Sequence, residues 1–303
     1  MRTKISVLMN CYNGEKYLRE AIDSVFNQTL KDWEIVFIDN CSTDNSASIA
    51  KSYGEKIKYF KTKKNIPLGA ARKFGVEFCS EYIATLDTDD VWLPHALESL
   101  YSAITSGDYA LAYGHQHLID KNGCDIGEIK NRYANQSGDL FSKLLVQFDI
   151  PMVATMISKD KMVESNLNFD EKVYGSVEYA LFMPLAIKNN YIALDTFIVK
   201  YRVHDSLSTK LSDKLYQERK NTLNKILKQY PDLKNKHPNE FREAFARGNY
   251  YESQYLMSNG EQIKAFKTLS QHMFIDVRYF LLTLLTICPM FVWDFVQNKK
   301  YKR

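Results

Sequence analysis

Between residue 4 and about residue 114, short apolar runs alternate with segments of helical period, and this alternation constrains the fold more than any other feature of the chain. Ile5-Ser6-Val7-Leu8-Met9 is rich in strand formers; over residues 15–28, Tyr17, Leu18, Ala21, Ile22, Val25 and Phe26 recur at helical spacing. Residues 34–38 make a second apolar run, after which Thr43 or Asp44 is placed to cap a helix running through Ile49 and Ala50. Residues 57–60 precede a helix over 68–79, and residues 82–86 precede a helix that Pro94 opens, where a missing N–H is tolerated. Residues 109–113 make a fifth strand. Strands this apolar, separated by helices, predict an α/β fold with a mostly parallel sheet covered by helices on both faces. Ligands of such sheets bind beyond the carboxyl ends of the strands, and here those ends carry the polar stretches 10–13, 39–44 and 87–90.

From 115 to 205 the pattern is mixed: a hairpin around Lys121-Asn122-Gly123, a helix over 139–148, a strand over 153–158, a helix over 177–188 and a strand over 197–203. After Ser208 the chain reads as helical and more basic, broken at Pro231 and Pro238. With 303 residues, the expectation is one large domain over 1–208 and a helical extension over 209–303. The net charge of +4 is too small to argue nucleic-acid binding. The five cysteines (Cys11, Cys41, Cys79, Cys124, Cys288) show no metal-ligand spacing. Cys11, Cys41 and Cys79 read as small core residues of a protein in a reducing cytoplasm. The run after Arg2 and Lys4 is too short for a secretory signal.

Asp87, Asp89 and Asp90 crowd three carboxylates into four residues at a strand end. Like-charge repulsion makes such a loop costly unless a cation compensates, and Mg²⁺ or Mn²⁺ bridging one or two carboxylates to substrate phosphates would do so. The alternative is an acid-decorated helix start favoured by the helix dipole. Asp39, at the end of the second run, either accepts from a ribose hydroxyl or a base N–H, or belongs to ordinary turn chemistry with residues 40–44. No Gly-x-Gly-x-x-Gly follows the first strand and no Walker A sequence occurs, which disfavours nicotinamide and P-loop chemistry.

Taken in order, six blocks resemble glycosyltransferase family 2, whose catalytic domain has the Rossmann-like GT-A fold. They are Ile5-Ser6-Val7-Leu8-Met9-Asn10-Cys11-Tyr12-Asn13-Gly14, then Phe26-Asn27-Gln28-Thr29, then Trp33-Glu34-Ile35-Val36-Phe37-Ile38-Asp39-Asn40-Cys41-Ser42-Thr43-Asp44. Gly69-Ala70-Ala71-Arg72, the stretch from Tyr82 to Pro94 around Asp87-Thr88-Asp89-Asp90, and Tyr201-Arg202-Val203-His204 with Ser206-Leu207-Ser208 complete the set. The resemblance implies that Asn10 and Tyr12 lie at the nucleoside, Tyr12 against the base, and that Asp39 binds base or ribose. It implies Arg72 near the diphosphate, Asp87 on ribose or metal, Asp89 as principal ligand of Mn²⁺ or Mg²⁺, and His204 at the diphosphate or metal. Asp90 orients the loop. Without the resemblance, His204 would read as a surface histidine beside Asp205. The family's general base is the aspartate of a Glu-Asp pair at a helix start; here Glu178 stands at that place, in Gly175-Ser176-Val177-Glu178. Glutamate has similar acidity but is one methylene longer. Pro184 replaces a frequent arginine and should kink the helix. Both departures bear on the acceptor side.

The implied reaction is inverting transfer of a sugar from a nucleotide diphosphate donor, UDP being the commonest carrier, to a glycan or lipid-linked glycan acceptor in the building of surface polysaccharide, lipopolysaccharide or glycoprotein glycan. The competing readings are a sugar nucleotidyltransferase, which would release pyrophosphate, and a non-catalytic sugar-nucleotide or glycan-binding protein. A processive synthase is disfavoured by the lack of multiple long apolar spans and of Gln-x-x-Arg-Trp. The uncharged run 279–293 is shorter than a spanning helix and broken by Pro289, while Lys299, Lys300, Lys302 and Arg303 follow it. It reads as attachment to the inner face of the cytoplasmic membrane, or as a helix packed on the core or on a second subunit in a homodimer.

Overall fold

A computed structural model describes residues 4–204, 212–289, 291–293 and 295–296. Asp205, Ser206-Leu207-Ser208 and the cations at 299–303 lie outside the described residues. Among those described, ten strands form one sheet in the order β3-β2-β1-β4-β9-β6-β10-β5, with β7 on β6 and β8 on β10. They are β1 (Ile5–Cys11), β2 (Trp33–Asp39), β3 (Ile57–Lys61), β4 (Tyr82–Thr85), β5 (Val91–Trp92), β6 (Tyr109–Ile119), β7 (Asp125–Ile129), β8 (Ser137–Gly138), β9 (Thr155–Ser158) and β10 (Asn190–Arg202). The helices among them are α1 (Glu15–Phe26), α2 (Ser46–Lys51), α3 (Leu68–Val76), α4 (Ala96–Thr105), α5 (Phe141–Val146), α6 (Lys159–Glu164) and α7 (Val177–Leu185). Contacts divide the chain into two compact units, one of residues Met1–Phe141 with Asp149–Leu207, the other of Ser142–Phe148 with Ser208–Arg303. The segment Ser142–Phe148, which the sequence assigns to the first domain, thus clusters with the second.

The central strands β1, β2 and β4 are buried at all but one position each, so both faces of the parallel half are covered. Val7 and Met9 face Leu18 and Ile22 of α1 in one core, which Phe37, Leu97 and Met156 extend. On the other face α3 lies so close that a Cβ on Gly75 would stand 2.4 Å from Leu8 Cδ1 and 3.0 Å from Ile38 Cγ1. At Gly69 the obstacle is backbone: a Cβ would meet the Asp170 carbonyl oxygen at 2.0 Å, and Gly69 N donates to Val173 O at 3.0 Å. This approach holds the segment leading to α7 against the start of α3. Gly69→Ala is therefore expected to cost about 3 kcal/mol in urea denaturation, because a main-chain oxygen cannot step aside. Gly75→Ala should cost at most about 1 kcal/mol, since side-chain ends can move and alanine's helix propensity offsets the crowding.

The parallel order runs through β3, β2, β1 and β4 and recurs between β6 and β10, while β9 enters antiparallel to both β4 and β6. β6 and β10 extend well beyond the expected 109–113 and 197–203, because each completes the other's ladder and β6 continues into the expected hairpin with β7. β5 has two residues and exists through its pairing with Val199 and Lys200. Pro94 does not open α4; its carbonyl accepts from Thr29 N at 2.8 Å, and the helix begins two residues later. Pro184 lies inside α7, one residue before its end, where its missing N–H leaves the Ala180 carbonyl without the usual helical donor, and the helix stops at Leu185 short of the expected 188.

The second unit is helical: α8 (Ser212–Gln229), α9 (Leu233–Lys236), α10 (Pro238–Ser258), α11 (Gln262–Ser270) and α12 (Val277–Leu285). Ala246, Leu269 and Tyr279 pack together, as do Met257, Ala265 and Trp293. Among the described residues, no helix is long and apolar enough to cross a membrane.

Candidate active site

The loops leaving β1 and β2 are locked together. Asn13 N donates to Ser42 Oγ (3.1 Å), Gly14 N to Ser46 Oγ (3.0 Å) and Glu15 N to Asp44 Oδ2 (3.0 Å). In return Thr43 N donates to Asn13 Oδ1 (2.8 Å) and Asn45 N to Glu15 Oε2 (2.9 Å). Asp44 also accepts from Ser46 N at 3.0 Å, so it, and not Thr43, ties the starts of α1 and α2. Asn13 and Cys41 sit at φ 54° and 68°. Asparagine tolerates that region; Cys41 does so at a cost of about 1 kcal/mol, which the interlocked hydrogen bonds offset. Cys41 is thus a half-buried loop residue, unlike Cys11 and Cys79, which are buried and whose thiols burial pushes up.

The acidic loop follows β4. Asp87 Oδ1 accepts from Arg72 at 2.7 Å, and Arg72 itself is buried beside the Phe169 ring. Asp89 Oδ2 lies 2.8 Å from His204 Nε2. Burial, then the charge of Asp87, pushes the Asp89 carboxyl up against the opposing pull of His204. Asp90 is 1% exposed, its Oδ1 accepts from Arg202 N at 2.8 Å, and burial followed by the charges of Asp89 and Asp87 pushes it well above the usual carboxylate range. Asp90 is turned into the protein while Asp87 and Asp89 remain partly open. Gly14 permits the approach of this loop to the first one, since a Cβ there would stand 2.8 Å from Thr88 Oγ1.

Arg202 is the residue that sequence reasoning left without a role. Its Nε donates to Asp89 O (2.8 Å), one terminal nitrogen to Asp120 O (3.3 Å) and the other to Glu20 Oε2 (2.6 Å), with the guanidinium 4.3 Å from the Tyr17 ring centroid. Tyr17, read as a helix-face residue, also lies 5.5 Å from the His204 ring and donates to Lys121 O. A buried arginine at the end of β10, two residues before His204, was the available signal.

Of the other expected residues, Tyr12 is 45% exposed beyond β1. Asn10 carries a side-chain nitrogen and oxygen that are buried and have no protein partner. Asp39 is fully buried: Ser42 N donates to Oδ1 (2.7 Å), the Tyr59 hydroxyl to Oδ2 (2.5 Å), and Lys61 Nζ is 3.6 Å from Oδ2. Both Asp39 carboxylate oxygens thus already accept a protein hydrogen bond at the carboxyl end of β2. Glu178 is half-buried in the first turn of α7. The Tyr201 phenol is pushed up by burial and then by Asp90, Asp87, Asp89 and Glu178, which sets Glu178 in the same neighbourhood as the acidic loop.

Among the described residues, no three His, Cys, Asp or Glu side chains converge as a preformed metal-ligand set. His204 instead holds Asp89. The donor chemistry nevertheless fits a hard cation: Asp87 and Asp89 each keep one oxygen outside the hydrogen bonds to Arg72 and His204, and ions such as Mg²⁺ take one or two carboxylates together with substrate phosphates.

The model of the family described as Glycosyl transferase family 2 matches residues 6–160. A glycosyltransferase of Methanocaldococcus jannaschii is 32% identical over 209 residues, covering 66% of this chain and 70% of that protein. WfgD of Escherichia coli, a UDP-Glc:α-D-GlcNAc-diphosphoundecaprenol β-1,3-glucosyltransferase, is 25% identical over 206 residues, covering 67% of this chain and 78% of WfgD. Among solved structures, S. aureus TarS 1–349 in complex with UDP-GlcNAc superposes with a TM-score of 0.67 at 17% identity, over 92% of this chain and 83% of TarS 1–349. That likeness is one of fold, the GT-A arrangement expected from the six blocks.

Proposed function

The chain belongs to glycosyl transferase family 2, and on that premise we propose that it moves a hexosyl or N-acetylhexosaminyl group from a UDP-sugar to a hydroxyl of a glycan or lipid-linked glycan, with inversion. The observation that carries this reading is the pair Asp87 and Asp89, open at the carboxyl end of β4 and held in place by Arg72 and His204. WfgD uses a UDP-sugar and a diphosphate-lipid-linked acceptor, and TarS binds UDP-GlcNAc, which supports UDP and a lipid-linked acceptor here.

In the proposed reaction Tyr12 stacks on the base, and the unpartnered amide of Asn10 supplies a donor and an acceptor to the nucleoside. Asp39 acts through the Tyr59 hydroxyl and the Ser42 amide that it fixes at that end of the crevice. Asp87 and Asp89 would hold Mn²⁺ or Mg²⁺, which when bound neutralises charge developing on the diphosphate. Arg72 and His204 keep both carboxylates aimed, and Arg202 and Asp90 hold their loop from behind. Glu178 takes the acceptor hydroxyl's proton as that oxygen bonds to the anomeric carbon; the bond from that carbon to the diphosphate oxygen breaks with its electron pair, and UDP leaves. Attack from the face opposite the leaving group inverts the configuration.

A thermal-shift panel of UDP, GDP, dTDP and CDP, each with and without Mn²⁺, tests the donor reading. UDP with Mn²⁺ at about 100 times its Kd should add roughly 2.7 kcal/mol of apparent stability, about 5 °C or more in Tm. UDP alone and the other nucleotides should add less. A flat response to every nucleotide in both conditions would remove the proposal.

A further inference from the structure

Tyr201 stands where the acidic loop meets β10, and neither the fold nor the proposed reaction uses its hydroxyl. β10 pairs antiparallel with β5 through Val199 with Trp92 and Lys200 with Val91, so the same register carried one residue further sets Tyr201 across from Asp90. The next amide, Arg202 N, donates to Asp90 Oδ1 at 2.8 Å, and on its other side Tyr201 is paired with Leu118 of β6. The backbone is therefore held from both sides. The ring is half-buried and packs against the main core. Among the described residues the hydroxyl has no hydrogen-bond partner, and it is not sealed from solvent as the orphaned Tyr113 hydroxyl is. A ring fixed by packing, with a free hydroxyl at its tip, is a preorganised donor, because little side-chain freedom remains to be lost when a ligand arrives.

We propose that the Tyr201 hydroxyl donates a hydrogen bond to a ring hydroxyl of the sugar being transferred, and so helps decide which sugar the site accepts. The inference rests on the donor reading of the acidic loop. In that reading Asp87 and Asp89 fix the diphosphate end of the donor, and Glu178 fixes the side from which the acceptor attacks. The hexosyl ring then lies between them, since its anomeric carbon is bonded to the diphosphate and attacked from the opposite face. Burial, followed by the charges of Asp90, Asp87, Asp89 and Glu178, pushes the Tyr201 phenol up, which sets it in the field of both groups and keeps it an O–H donor at neutral pH. A site that aims a hydrogen-bonding group at a substrate hydroxyl discriminates against analogues that lack it, because the protein group is then left unpaired.

Competition binding in the presence of Mn²⁺ tests this with UDP, UDP-glucose and UDP-N-acetylglucosamine, and with singly deoxygenated forms of whichever sugar nucleotide binds more tightly. Tyr201→Phe removes the hydroxyl and keeps the ring, so circular dichroism should not change and affinity for UDP should stay within about twofold. Affinity for the sugar nucleotide should fall about threefold to tenfold, the range of one partly solvated hydrogen bond. At one ring position, deoxygenation should cost the unaltered protein that same factor and the phenylalanine variant less than about twofold, because the two groups interact directly. Equal costs in the two proteins at every position overturn the proposal. So does a phenylalanine variant that loses UDP and sugar nucleotide alike, which would make Tyr201 a support of the acidic loop. An unaltered protein that binds UDP, with a variant that keeps its full affinity for the sugar nucleotide, sinks this inference alone. An unaltered protein that binds none of these nucleotides sinks the donor reading and this inference together.

Discussion

Replacing Asp89 by asparagine is expected to lower kcat/KM by roughly 10³-fold, about 4 kcal/mol, and to leave the fold as stable as before or more so. The two effects have opposite signs because they arise from the same charge. Burial and the neighbouring charge of Asp87 push the Asp89 carboxyl above its ordinary 3.8, so in the metal-free protein the ionised form is disfavoured. A group whose folded pKa is raised contributes stability below its unfolded value, and that contribution is lost as pH rises through the folded value. The unaltered, metal-free protein should therefore lose this increment as pH rises above about 3.8, while the asparagine variant, carrying no charge there, should not. Thermal melts across pH check the stability half, and rates with donor and Mn²⁺ check the catalytic half. Such opposition between stability and activity is expected where like charges are gathered for function. A variant that is both less stable and fully active would give Asp89 a purely structural role, outside metal and donor binding.

The second large effect falls on the acceptor side. Glu178→Gln should reduce kcat by between about 10² and 10⁴, the range for removing a positioned general base, with UDP binding unchanged. The stability cost should be small, about 0.5 kcal/mol, because Glu178 lies in the first turn of α7 where its charge meets the positive end of the helix dipole. Glu178→Asp should retain more activity than the glutamine variant, since it keeps the carboxylate but withdraws it by one methylene. A glutamine variant that turns over at the normal rate would leave Glu178 outside the chemistry.

The parallel half of the sheet was legible because its central strands are buried on both faces and read as predominantly apolar runs bounded by polar loops, with the edge strand β3 carrying exposed lysines at Lys58 and Lys61. The bounds of β1 through β4 differ from the sequence reading by two residues or fewer at each end. What could not be read depends on pairing partners distant in sequence. β5 is two residues that become a strand through Val199 and Lys200, and nothing in Val91-Trp92 itself announces it. The run that forms β9 was visible, but its antiparallel direction depends on how the chain returns, which hydrophobic pattern does not encode. The site divided in the same way. The acidic loop and His204 were visible as residue types in order. The engagement of Asp39 by Tyr59 and Ser42, and the four bonds by which Arg202 and its own amide hold Asp89, Asp90, Asp120 and Glu20, come from contacts across the sheet.

The claim that Asp87 and Asp89 present a divalent ion to a nucleoside diphosphate is tested most directly by the electron paramagnetic resonance signal of free Mn²⁺. Titrating the unaltered protein and UDP together into Mn²⁺ should remove the free-ion signal far more effectively than UDP alone, and Asp89→Asn with UDP should behave like UDP alone. If the asparagine variant removes the signal as well as the unaltered protein does, the metal site is elsewhere and the account of this loop is wrong.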